Sequence, residues 1–219
     1  MNIAYNMDCM EGMKQYPDGY FDLAVVDPVY GDVTPGGYFT GKADNLAEQT
    51  QYDNSIWKQP KTPPEYFKEL FRVSKNQIIW GGNYFVEEIG KNSTCWIVWD
   101  KDHPPGVRYA DCELAWTSFP YASRLFKYRW NGFIQQNMKN REVRIHPTQK
   151  PTDLYRWIYR IFKVPPGSKI IDTHLGSGTN RRAAYDFGLD FVGYGTGKIY
   201  FDQQEQAFQE YIAQTRFDL

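Results

Sequence analysis

The chain has 219 residues, a formal charge of −1, and 42% apolar and 17% aromatic side chains. That is room for one α/β domain with a small insertion, and too much apolar content for a disordered chain. No run of about 18 apolar residues is available to span a membrane, and the opening MNIAYNMDCMEG lacks the basic-then-apolar order of a signal peptide.

The three cysteines (Cys9, Cys95, Cys112) share no C-x-x-C spacing. Buried, reduced thiols are therefore expected, with no metal site. The even overall charge hides a gradient. Residues 1–100 carry 8 basic and 14 acidic side chains, residues 101–150 carry 9 and 4, and residues 151–219 carry 8 of each.

Taken in chain order, the apolar runs Asn2–Tyr5 and Leu23–Val26 read as buried strands. The second runs into Asp27-Pro28-Val29-Tyr30-Gly31. In an open parallel sheet the C-terminal strand ends face the ligand crevice, so Asp27 and Tyr30 are expected there. A proline contributes a rigid carbonyl and no N–H. Together, the acid and that carbonyl can accept both hydrogens of an exocyclic amine while the tyrosine stacks on the attached base. An ordinary acid before a turn proline fits the same residues.

Gly31–Lys61 is polar and without a sustained period, as in a lid, a binding loop or a mobile loop. A helix is expected over Thr62–Val73, then strands over Gln77–Trp80 and Cys95–Trp99. The basic stretch that follows also holds Trp116, Phe119, Tyr121, Phe126, Tyr128, Trp130 and Phe133. Clustered cations of this kind can bind a polyphosphate backbone, although a solvated basic face fits equally well. Ser118–Lys139 reads either as a hairpin or as an irregular insertion.

Ile145-His146-Pro147-Thr148-Gln149-Lys150-Pro151 is a tight polar segment before a helix over Thr152–Phe162, for which Thr152 is the expected N-cap. A strand at Lys169–Asp172 leads into Thr173-His174-Leu175-Gly176-Ser177-Gly178 and a helix over Thr179–Phe187. Glycines here let a backbone approach a ligand. The acid before the turn and the absent third glycine disfavour a dinucleotide site, and no lysine follows as in a P-loop. A strand at Phe191–Gly193 and a helix over Phe201–Thr215 complete an alternation that predicts a mostly parallel sheet.

The joint order of strand–DPxY, HPTQKP and strand–DxxxGSGT–helix resembles the beta class of S-adenosylmethionine-dependent DNA amino-methyltransferases. The likeness extends from Asp8 in Asn6-Met7-Asp8-Cys9-Met10-Glu11-Gly12-Met13 to Tyr200-Phe201. Trp80-Gly81-Gly82-Asn83-Tyr84-Phe85 is similar to phage-encoded members.

The resemblance implies an α/β, Rossmann-like methyltransferase fold: a mostly parallel twisted sheet flanked by helices, circularly permuted with the catalytic half first. One domain would span 1–219, with a mobile loop at 31–61 and a target-recognition insertion at about 101–144. Asp27, Pro28 and Tyr30 would hold a flipped adenine for N6 methylation. Asp8, Cys9, His146, Thr148, Lys150, Asp172, Gly176, Ser177, Gly178 and Thr179 would bind S-adenosyl-L-methionine, with Lys150 closest in role to a partner for the cofactor carboxylate. Arg108, Arg124, Lys127, Arg129, Lys139, Arg141 and Arg144 would meet double-stranded DNA. The resemblance also implies a cytoplasmic enzyme of a bacterial or phage-infected cell, with no membrane association, from a class in which homodimers are frequent.

Two departures stand out. Val29 replaces the second proline of the family pattern, for which a looser loop is expected. In Gly193-Tyr194-Gly195-Thr196-Gly197-Lys198, Gly195 stands where relatives carry the glutamate that binds the ribose hydroxyls. An enzyme with weakened activity, a relative that binds DNA without turnover, a site altered for another cofactor, and an RNA or N4-cytosine methyltransferase therefore remain as alternatives to a fully active adenine enzyme.

Overall fold

The structure, a computed structural model, describes residues 1–31, 60–104, 110–131 and 134–215. Among the described residues, eight strands form one sheet in the order β1-β10-β9-β2-β3-β5-β4-β6. In chain order these are β1 (Asn2–Tyr5), β2 (Phe21–Val26), β3 (Ser74–Trp80), β4 (Trp96–Asp100), β5 (Cys112–Thr117), β6 (Arg124–Lys127), β9 (Lys169–Asp172) and β10 (Asp190–Tyr194). A separate two-stranded ladder pairs β7 (Trp130–Asn131) with β8 (Ile134–Gln135).

The half of the sheet from β1 to β3 is wholly parallel; β5 runs antiparallel to both of its neighbours, and β6 lies parallel to β4 at the edge. Successive residues of a strand face opposite sides, and each side meets its own helices. Leu23 and Val25 pack with Leu154, Tyr155, Ile158 and Tyr159 of α4 (Thr152–Ile161) and with Ala183 and Ala184 of α5 (Thr179–Asp186). Ala24 and Val26 pack with Met13 of α1 (Cys9–Met13), with Tyr66, Phe67, Leu70 and Val73 of α2 (Pro64–Val73), and with Ile89 of α3 (Val86–Ile89). The last helix, α6, covers Lys198–Thr215. The result is the Rossmann-like, mostly parallel architecture expected.

Every strand and helix expected from the sequence is present, with ends shifted by a few residues. α2 begins at Pro64 rather than Thr62, because a residue before proline is pushed to extended backbone and Pro63-Pro64 applies this twice. Thr152 is the first residue of α4 and not its cap. Its N–H and hydroxyl both donate to the Glu142 carboxylate, at 2.9 and 2.8 Å, so a distant acid satisfies this helix start.

The stretch at 101–144, expected as an insertion, contributes two strands to the sheet: β5 lies between β3 and β4 with Ala115 and Trp116 buried, and β6 forms the edge. The hairpin reading of Ser118–Lys139 holds only for its β7–β8 part. The loop expected at 31–61 lies, apart from Gly31, Pro60 and Lys61, outside the described residues.

The feature that positions the site is the pairing of β2 with β9, Leu23 opposite Ile170 and Ala24 opposite Ile171. It sets the acid-proline-tyrosine segment and the glycine turn side by side, although about 145 residues separate them in the chain. The buried Asn180 of α5 ties the two strand ends together, donating to the Val25 carbonyl at 3.2 Å and to Asp172 Oδ2 at 2.9 Å.

Candidate active site

Past β2, the Asp27 carboxylate takes a different donor on each oxygen. The Tyr30 hydroxyl donates to Oδ1, and Lys150 Nζ donates to Oδ2 at 2.7 Å. Burial, and then the negative charge of Asp27, push the Tyr30 phenol well above its ordinary range, so it stays a donor. Pro28 is buried, and among the described residues no donor reaches its carbonyl. The Val29 carbonyl accepts from Thr62 N at 2.9 Å, which ties this turn to the segment before α2.

Tyr30 rests on the Trp80–Phe85 segment, where Tyr84 stacks on it at 5.0 Å between centroids and Phe85 meets it edge-on at 5.9 Å. Gly81 has φ +64°, and a Cβ there would lie 2.1 Å from the tyrosine ring. Only glycine meets both demands. The sequence singled this segment out without assigning it a role; its role is to seat Tyr30.

Lys150, only 4% exposed in its side chain, also reaches Glu113 at 2.8 Å, and Glu113 reaches Lys101 at 2.6 Å. Four charges thus alternate from Lys101 through Glu113 and Lys150 to Asp27. Burial alone would raise the Glu113 carboxyl, but the Lys150 and Lys101 ammoniums outweigh it and hold it low, at about 2. Burial likewise opposes the Lys150 charge, and Asp27 and Glu113 override it, so the ammonium persists. Lys150, expected to meet a cofactor carboxylate, lines the cavity and is paired here with Asp27 and Glu113.

The turn that presents Lys150 is fixed through Gln149. The Gln149 carbonyl accepts from Trp130 Nε1 at 2.8 Å, and its side-chain oxygen accepts from Ile145 N at 2.9 Å.

Facing this group is the glycine turn. Gly176, Ser177 and Thr179 line the cavity where α5 begins, together with His146, Thr148, Asp8 and Cys9. Asp8 caps α1, accepting from Met10 N at 2.7 Å. Burial and the Asp8 charge push the Cys9 thiol up to about 12, which removes it as a nucleophile. Burial holds both His146 and His174 at about 4, so each is neutral.

Asp172 and Gly178 stand one layer behind the lining. Asp172 accepts from Asn180 and from His174 N at 3.1 Å, and burial lifts its carboxyl to about 7. Gly178 leaves no room for a Cβ, which would meet Gln204 Oε1 at 2.9 Å. These two expected ligands shape the turn and do not border the space.

The cavity is about 710 Å³, within the range of about 300–1,000 Å³ usual for ligand sites. Both strand ends open into it, together with Trp99, Trp130, Tyr84 and Tyr155. A nucleoside bearing an amino-acid chain fits this donor set, with neutral histidines, hydroxyls and glycine backbone on one side and an amine-accepting carboxylate on the other. Gly195 also lines the cavity and offers it no side chain. Asp202, the acid that the following helix offers in its place, is exposed, paired with Lys198 at 2.5 Å, and does not line the cavity.

None of the six described cations among the seven expected to meet DNA lines the cavity. Arg108 lies outside the described residues. Arg124 is exposed on edge strand β6, and Lys139 and Arg141 are exposed on the segment after β8. Lys127 and Arg129 are both paired with Asp102, at 2.8 and 2.5 Å, and Arg144 sits over the Trp130 ring at 5.4 Å.

Lys101, Glu113, Tyr84, Trp99, Trp130 and His174 border the cavity without having been expected there. Glu113 left one signal in the sequence, a lone acid in the apolar run Cys112–Thr117. The three cysteines are free, but only Cys95 is fully buried and Cys112 is exposed. Among the described residues, no group of three or more His, Cys, Asp or Glu could hold a metal ion, and no helix is long and apolar enough to cross a membrane.

No family model matches the chain. The chain is 24% identical to the type II methyltransferase M.HinfI of Haemophilus influenzae, over 96% of its own length and 69% of that protein's. Among solved structures it is similar to M1.HpyAVI in complex with SAM, with a TM-score of 0.58, 20% identity, and coverage of 94% of this chain and 100% of that one. It is also similar to the cytosine-N4-specific PvuII DNA methyltransferase, with a TM-score of 0.60, 13% identity, and coverage of 94% and 86%. The Rossmann-like methyltransferase fold is shared with these structures.

Proposed function

We propose that the chain transfers a methyl group from S-adenosylmethionine to the exocyclic amine of a base in double-stranded DNA, with adenine N6 as the target. The observation that carries this reading is the single cavity into which both the Asp27–Tyr30 strand end and the Gly176–Thr179 turn open. The similarity to M.HinfI over nearly the whole chain supports it.

When bound, S-adenosylmethionine supplies an electrophilic methyl carbon. Asp27 Oδ1 and the Pro28 carbonyl would accept the two amine hydrogens and turn the nitrogen lone pair toward that carbon. This is catalysis by positioning and electrostatics, with no covalent enzyme intermediate. Extruding a paired base costs a few kcal/mol, and stacking on Tyr30, itself backed by Tyr84, would return about 1–3 kcal/mol. The exposed cations Arg124, Lys139 and Arg141 would track phosphates, with Lys127 and Arg129 first giving up Asp102. An acid rather than a serine at position 27 favours adenine over cytosine in the family the sequence resembles.

The test is transfer of labelled methyl from S-adenosylmethionine to duplex DNA by the wild-type chain, abolished by Asp27→Ala, with the product identified by base analysis. Absence of transfer by folded protein at millimolar cofactor would sink the proposal; N4-methylcytosine as the product would move the target. The bare Gly195 end of the cavity favours a second reading, a relative that binds DNA without turnover. Calorimetry separates the two, because tight binding of S-adenosylmethionine counts against the second.

A further inference from the structure

Resting on the methyl-transfer reading of the same cavity, we propose that Glu113 is a positioning residue. It anchors Lys150, and Lys150 sets the orientation of the Asp27 carboxylate that receives the amine.

Glu113 lies on β5 opposite Trp99 of β4, two residues before the point where that strand's side chains become buried. There it meets two cations from different parts of the chain, Lys101 at 2.6 Å and Lys150 at 2.8 Å. A lysine is a point charge on a flexible stem, and a single anionic partner leaves it free to swing. Lys150 has two anionic partners on separate strand ends, Glu113 and Asp27, and its ammonium lies 5.3 Å from the centre of the Trp80 ring. That triangulation fixes the ammonium. In turn, the ammonium on Oδ2 and the Tyr30 hydroxyl on Oδ1 fix the plane of the Asp27 carboxylate.

The four groups sum to zero charge, two lysines against two acids. Removing the Glu113 charge leaves an excess cation in a desolvated space, which is costly. It also leaves Lys150 with Asp27 alone. The ammonium is then free to swing, and the plane of the Asp27 carboxylate is no longer fixed.

Glu113→Gln in the full chain tests this with three readouts: kcat for methyl transfer at saturating DNA, S-adenosylmethionine affinity by calorimetry, and the rate of Lys150 reductive dimethylation by mass spectrometry. A displacement of this kind is expected to cost about 10- to 100-fold in kcat with cofactor affinity unchanged. Labelling of Lys150 should accelerate, because loss of one of its two anionic partners eases deprotonation of the ammonium. Glu113→Asp, which keeps the charge on a shorter stem, should recover part of both, and it serves as the second variant should Glu113→Gln fail to fold.

Wild-type kcat in folded Glu113→Gln overturns the proposal, as does parallel loss of kcat and cofactor affinity. The labelling readout needs no turnover. If the wild-type chain transfers no methyl group, the functional reading fails, and the labelling rate still decides whether Glu113 anchors Lys150. An unchanged rate refutes the anchor.

Discussion

The Gly195 end of the cavity offers the sharpest quantitative test, because the structure shows what a side chain would meet there. A Cβ at Gly195 would lie 3.8 Å from both Leu175 Cβ and Phe201 Cδ2, which are ordinary contacts. The Gly195 N–H bond to the Tyr5 carbonyl, at 3.1 Å, does not involve the side chain. Gly195→Glu should therefore fold and extend a carboxylate along the cavity wall. Each hydrogen bond from a ribose hydroxyl to a carboxylate contributes about 1.5–3 kcal/mol. Ordering the glutamate side chain costs up to about 2 kcal/mol. One bond then roughly breaks even, and two give a net gain of about 1–4 kcal/mol, or about 5- to 10³-fold in Kd. Calorimetric titration of S-adenosylmethionine into parent and variant measures this directly. A correctly melting Gly195→Glu protein that binds no tighter than its parent would refute the assignment of this end of the cavity to a ribose.

Two further outcomes are expected. Gly81→Ala should suppress methyl transfer by at least about 100-fold while leaving cofactor affinity intact, because its Cβ would drive into the Tyr30 ring. Thermal denaturation should register the left-handed backbone as a loss of about 1–2 kcal/mol, and wild-type transfer would show that Tyr30 needs no such seat. Asp172→Asn should alter how stability depends on pH. The folded carboxyl sits at about 7 against an ordinary 3.8, so the stability tied to its proton is full below about pH 3.8 and lost as pH rises toward 7. The stability difference between variant and parent should grow across that window, by about 4 kcal/mol at most. His146 and His174, held at about 4, act in the opposite sense between pH 6.5 and 4, but equally in both proteins. A pH-independent difference in urea midpoints would show that Asp172 is ionised throughout.

The sequence carried the strands and helices that alternate in the ordinary way, because a buried parallel strand such as Leu23–Val26 or Lys169–Asp172 must be a short unbroken apolar run. β5 escaped notice for the complementary reason: Glu113 interrupts its apolar run with a charge that only the three-dimensional pairing with two lysines makes tolerable. The motif residues themselves were legible, and Asp27, Tyr30, Gly176 and Ser177 all border the cavity. The partners of Lys150 were not, since its flexible stem can reach either side of a crevice and nothing local in His146–Pro151 names Asp27 and Glu113. Asp172 shows a similar limit. A strand's last residue alternates inward or outward with the pleat, and here it turns into the layer beneath the ligand space.

The amide of Asn180 spans the junction between β2 and β9. One small polar group on a helix therefore acts as a strut between two segments that the backbone connects only through a long detour. For a reaction in which a single carbon must cross from one occupant to another, the gap between them is the quantity that thermal motion would blur first. Two hydrogen bonds from that one amide, to the Val25 carbonyl and to Asp172, set the spacing of the two banks of the crevice.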